Sequence, residues 1–104
     1  MKLFISQPMK GRTDEEILKE REEILARCKQ RYGDDIEVIE SFYDDEPGVK
    51  VPALAKLGRS IIALADADVA YFAKGFDKAR GCCIENKCAI EYGIEVIEDY
   101  GKRY

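Results

Sequence analysis

Apolar residues recur along this chain in two rhythms. Short runs rich in β-branched and aromatic residues, Leu3-Phe4-Ile5, Ile36-Glu37-Val38-Ile39, Val69-Ala70-Tyr71-Phe72 and Ile94-Glu95-Val96-Ile97, have the length and composition of buried strands. Between them, apolar positions return every three or four residues, as they do on the core-facing stripe of a helix. Ile17, Leu18, Ile24, Leu25, Cys28 and Tyr32 form one such stripe, and Leu54, Leu57, Ile61, Ile62 and Ala65 another, with Gly58 placed for close packing. The first of these helices opens on Thr13-Asp14-Glu15-Glu16, a capping box, and closes at Gly33. The second starts near Pro52, and a third is predicted over residues 82–92, stopped by Gly93.

The expected strands are residues 2–6, 36–41, 68–73 and 94–97. Strands alternating strictly with helices through short loops predict a three-layer α/β domain, with a Rossmann/flavodoxin-like four-stranded parallel sheet flanked by helices. At 104 residues the chain suits a single domain. Such sheets bind ligands beyond the carboxyl ends of their strands, where strand order reverses. The loops gathered at that edge are residues 6–12, 42–52 and 74–81, together with the start of the third helix.

Charge narrows the function classes. Seventeen Lys and Arg against twenty-one Asp and Glu give a net charge of -4, with no basic run interleaved with aromatics, so duplex nucleic acid is not an expected partner. The apolar opening is too brief for a signal peptide or a membrane span, which makes a cytoplasmic location the expectation and a membrane partner not one. The four cysteines are then expected as free thiols. Cys82, Cys83 and Cys88 lack paired Cys-x-x-Cys spacing and the chain has no histidine, so neither a metal nor any other cofactor is expected. Cys88 has the spacing of a core residue. Cys82 and Cys83, at a helix N-terminus, would be made more acidic there, but no base stands near in the sequence to use them, and packing is the favoured role.

Three positions stay open on spacing alone. Glu85 falls in or near the first turn of the third helix, where it can serve the helix dipole or chemistry. Lys10 and Arg12, in a strand-to-helix loop, can neutralise an anion or be solvated. Asp66 and Asp68 flank Ala67 just before the third strand turns apolar, where an aspartate is often only a cap or turn residue.

The stretches LFISQPMKGRT (residues 3–13), ADADVAYFAKG (65–75) and RGCCIENKCAIEYGIEVI (80–97) together resemble the nucleoside 2-deoxyribosyltransferase-like superfamily, nearest its small DUF4406 branch. The closing motif of that superfamily fits Gly81, Glu85, Ala89, Gly93 and Val96, and the resemblance spans nearly the whole chain. It implies cleavage or transfer of the N-glycosidic bond of a nucleoside or nucleotide, with Glu85 as nucleophile. It also implies sugar contact by Asp68, a substrate-lining first loop through Ser6, Gln7, Met9 and Gly11, and Gly81 beside them. Asp77, in the loop before the third helix, is the nearest acid for the leaving base. A homodimer or higher homo-oligomer is implied as well, since sites of that superfamily are often completed across an interface.

The chain departs from the pattern at Phe4, where active members commonly have a tyrosine touching the nucleophile. It departs again at Gln7, where they have glycine, and at Pro8, where the monophosphate-cleaving branch often has serine. Phe4 and Gln7 favour a rival expectation, a non-catalytic nucleotide sensor on the same fold. The acidic run Asp44, Asp45 and Glu46 is the only feature pointing to a protein-binding adaptor. Tyr71, Phe72 and Phe76 can stack on a base or pack in a core or subunit contact.

Overall fold

A computed structural model describes residues 1–40 and 47–101. Four strands, β1 (Lys2–Ser6), β2 (Glu37–Val38), β3 (Val69–Phe72) and β4 (Glu95–Glu98), alternate with helices α1 (Asp14–Tyr32), α2 (Pro52–Leu64) and α3 (Arg80–Glu91). The strands pair in parallel in the order β2-β1-β3-β4, which is the three-layer α/β arrangement predicted from the alternation. A single 3-10 turn, Phe76–Lys78, intervenes between β3 and α3.

The strand order contains one reversal. The chain moves outward from β1 to β2, then returns past β1 to β3 and continues to β4. Because parallel crossovers are right-handed, a reversal of direction moves the connecting helix to the opposite face. Side chains of β1 sort accordingly, by the alternation of a pleated strand. Leu3 and Ile5 pack with Ile24 and Cys28 of α1 and with Val69 and Tyr71. Phe4 points the other way and packs with Ala63 and Leu64 of α2, Cys82 and Ala89 of α3, and Phe72. Leu3, Phe4, Val69 and Phe72 are at most 1% exposed, and burying each stabilises the fold by about 1.5–3 kcal/mol.

Local chemistry sets the ends of α1. The Thr13 hydroxyl accepts from the Glu16 amide at 3.1 Å, while the Thr13 amide donates to Glu16 Oε1 at 3.0 Å. At the other end Gly33, at φ 106°, donates its amide to the Lys29 carbonyl.

Several expected boundaries shift. β2 is two residues long, although the amide of Ile39 still donates to the Leu3 carbonyl; among the described residues it is an edge strand with a partner on one side. Ser41, expected at its end, and Phe42, Asp44, Asp45 and Glu46 of the acidic loop lie outside the described residues. The expected inward stripe of α2 is rotated. Ala63 and Leu64 are buried and Leu57 and Ile61 half-buried, while Leu54 and Ile62 are 63% and 74% exposed and Ala65 is exposed. Gly58 allows no close packing, because a Cβ there would meet nothing within 4 Å. β4 lies one residue later than expected, and α3 begins at Arg80, two residues earlier. The earlier start of α3 bears directly on Glu85.

Candidate functional site

The reversal of strand order lies between β1 and β3, whose carboxyl ends meet where Ser6 is in register with Phe72. One step of the chain at this edge separates two polar residues. Ser6 continues the Phe4 face and turns toward α3, where its Oγ donates to Glu85 Oε1 at 2.6 Å. Gln7 continues the Leu3 and Ile5 face and turns toward α1. Its Nε2 donates to the Ile17 carbonyl at 3.0 Å and to Glu20 Oε1 at 2.9 Å, and its Oε1 accepts from the Arg21 guanidinium at 3.0 Å. Ser6 and Gln7 are both buried, at 2% and 5% exposure, but only Ser6 shares a cluster with Glu85.

Glu85 is the one buried carboxylate among the described residues, at 7% exposure. Burial pushes its pKa above the usual carboxylate range, and the hydroxyls of Ser6 and Ser60 act in the opposite direction by donating to the ionised form. Of the two placements expected, in or near the first turn, the structure shows the second. Counted from Arg80, Glu85 is the sixth residue of α3 and sits in its second turn, beyond the short reach of the helix N-terminus. The charge on Glu85 is therefore supported by hydroxyl groups. Cys82 belongs to the same cluster, with its thiol against the Ser6 hydroxyl. Placement near a helix start does not acidify it, because burial pushes its pKa up to about 11. Cys88 packs against the core on this face.

The other expected site residues scatter. Asp68 lies at the amino edge of the sheet, opposite Ser6 and Glu85, where its Oδ2 accepts from the Lys2 amide at 2.6 Å. Asp77 is exposed on the 3-10 turn, and its backbone carbonyl faces the Cys83 thiol at 3.4 Å. Met9 and Gly11 are exposed in the loop after β1, with Gly11 at φ 77°. Gly81 faces α2, where an added methyl would sit 4.0 Å from Leu57 Cδ1, an ordinary contact. Tyr71, Phe72 and Phe76 are all at most 5% exposed, so they pack in the core and offer no open face for a base.

The start of α1 is also less open to an anion than its position in a strand-to-helix loop implies. Thr13 caps it, Asp14, Glu15 and Glu16 crowd its first turn, and Arg12 is bonded to Glu20 at 2.9 Å and to the Pro8 carbonyl at 3.0 Å. Ser60, by contrast, was not legible as a site residue. It lies between Leu57 and Ile61 on the inward side of α2, and a lone hydroxyl interrupting an apolar stripe is the signal that marks it. A groove of about 460 Å³ beside α2 is lined by Ile39, Glu40, Arg59, Ile62, Ala63 and Asp66, and its lining includes neither Ser6 nor Glu85. Among the described residues no three His, Cys, Asp or Glu side chains gather as a metal site, and no helix is long and apolar enough to cross a membrane. Compared with known proteins, the chain matches no family model, no curated protein and no solved structure.

Proposed function

We propose that this chain cleaves or transfers the N-glycosidic bond of a nucleoside or nucleotide through a covalent glycosyl-Glu85 intermediate, as a member of the nucleoside 2-deoxyribosyltransferase-like superfamily that it resembles. The observation that carries the proposal is the buried Glu85 carboxylate, bonded by Ser6 at the carboxyl end of β1 beside the strand-order reversal. A carboxylate desolvated at such an edge is the arrangement expected of a reactive group.

The chemistry follows from the carboxylate. A Glu85 oxygen attacks the anomeric carbon, and the C–N bond breaks with its electron pair remaining on the base nitrogen, which takes up a proton. Water or a second base then attacks the same carbon and releases the carboxylate. Glu85 has to be ionised to attack, and the Ser6 and Ser60 hydroxyls favour that state against burial. Asp77 remains the acid proposed for the leaving base, from its place in the turn before α3.

A second reading, a nucleotide sensor without chemistry, is favoured by one observation. Phe4, 1% exposed on the sheet face that carries Ser6, brings no hydroxyl to Glu85 where active members of the superfamily it resembles carry a tyrosine. Chromatography after incubation with deoxynucleosides, their 5'-monophosphates and NAD decides between the two. Free base that disappears with Glu85→Ala supports the enzyme. A rise in melting temperature with a nucleotide and no released base supports the sensor, and the absence of both effects refutes both readings.

A further inference from the structure

We propose that Ser6 is the positioning residue of Glu85, its hydroxyl fixing the orientation and ionisation of the carboxylate rather than contacting substrate. The catalytic half of this inference rests on the glycosyl-transfer reading above, whereas the hold of Ser6 on Glu85 does not depend on it.

The geometry leaves Ser6 little else to do. Its side chain is 2% exposed, and its Oγ stands 2.6 Å from Glu85 Oε1, a short contact of the kind made by a hydroxyl and an ionised carboxylate. A carboxylate can only accept, so the Ser6 proton must point at Glu85. The Cys82 thiol lies beside the Ser6 hydroxyl. That thiol is a donor at neutral pH, since burial keeps it protonated. The Ser6 hydroxyl therefore donates to Glu85, with the protonated Cys82 thiol beside it.

Each element packed on Glu85 contributes a neutral group: Ser6 from β1, Ser60 from α2 and Cys82 from α3. Among the described residues, the influences on the ionisation of Glu85 are desolvation and the two hydroxyls, with no charged side chain among them. In the second turn of α3 the helix dipole gives it little help. Removing the Ser6 hydroxyl takes away one of two groups opposing desolvation, and frees one carboxylate oxygen to rotate. A substrate-contacting serine would do neither.

The test uses the full chain with ¹³C-labelled glutamate carboxyls, assigning Glu85 by its loss in Glu85→Gln, and adds steady-state kinetics on any deoxynucleoside or 5'-monophosphate that the wild type cleaves. In Ser6→Ala the Glu85 titration midpoint should move upward. Loss of one hydrogen bond to the charged group should lower kcat by roughly tenfold to hundredfold with KM nearly unchanged. Ser6→Thr, which keeps the hydroxyl, should restore both. A midpoint that is the same in wild type and Ser6→Ala overturns the proposal whether or not base is released. So does a rise in KM alone, which would make Ser6 a substrate contact. A midpoint that rises in a protein that cleaves none of the substrates supports the hold of Ser6 on Glu85 and removes the glycosyl-transfer reading instead.

Discussion

Replacing Gln7 with leucine separates a residue that holds two elements together from one that binds substrate. The buried Gln7 amide ties the end of β1 to three successive features of α1: the Ile17 carbonyl, the Glu20 carboxylate and the Arg21 guanidinium. Leucine keeps much of the volume and deletes all three hydrogen bonds. Bonds of this kind contribute about 0.5–1.5 kcal/mol each when neutral and about 1.5–3 kcal/mol when one partner is charged. The loss is moderated because Glu20 keeps its bond to Arg12 at 2.9 Å, and because Glu20 and Arg21 are only half-buried and can recover water. A net cost of about 2–3 kcal/mol results, equivalent to a fall in melting temperature of about 10–15 °C for a domain of this size. Urea titration followed by far-UV circular dichroism measures it, with the slope unchanged if only stability is altered. A loss below about 0.5 kcal/mol, the range of ordinary surface changes, would refute this account. Combined with weakened nucleotide binding, so small a loss would return Gln7 to the substrate-binding role expected from its position in the loop.

Two further predictions concern the Glu85 cluster. Burial raises the folded-state pKa of Glu85 above its ordinary 4.5, so between the two values the native state keeps a proton that the unfolded chain has released. The contribution to stability is complete below 4.5 and is lost as pH rises through the folded value. Glu85→Gln should gain stability relative to wild type as pH rises from 4.5 through the raised folded value, each tenfold change in proton affinity amounting to about 1.4 kcal/mol; parallel pH dependences in urea titrations would contradict it. Among the thiols, Cys83 is exposed while Cys28 and Cys82 are buried, so a chromogenic disulfide should give a fast phase that Cys83→Ser abolishes. Modification of Cys82 should require unfolding, and fast labelling of Cys82 in the native protein would be inconsistent with its place behind Ser6.

The parts of this protein that were legible in its residues are those where a local pattern has one physical solution. The capping box at Thr13 and Glu16 can satisfy its donors only at a helix start, and both of its bonds form. The apolar runs at β1 and β3 are too short for helices and too apolar for loops. Where two solutions differ by a small rotation, local pattern does not choose. In α2 an apolar set spread around much of the helix leaves the inward direction to tertiary packing, and the packing buries Ala63 and Leu64 while leaving Leu54 and Ile62 outside. β2 has the same difficulty at a sheet edge, because its β-branched residues extend further than its ladder of two paired positions.

The same distinction explains the site. Ser6 and Gln7 are adjacent in a loop-opening sequence, and both were expected to line a ligand. A strand sends consecutive side chains to opposite faces, and β1 keeps that alternation through its last residue. The reversal of strand order places α3 on one of those faces and α1 on the other, so the destinations of Ser6 and Gln7 depend on topology, which local spacing does not contain. Glu85 shows the converse. Its position in α3 moved by only two residues from expectation, yet that shift transfers its electrostatic support from the helix terminus to the hydroxyls of Ser6 and Ser60. A carboxylate held by a helix dipole would respond to changes at the first turn of α3. One held by hydroxyls responds to a single oxygen on β1, and that difference makes Ser6→Ala the decisive substitution.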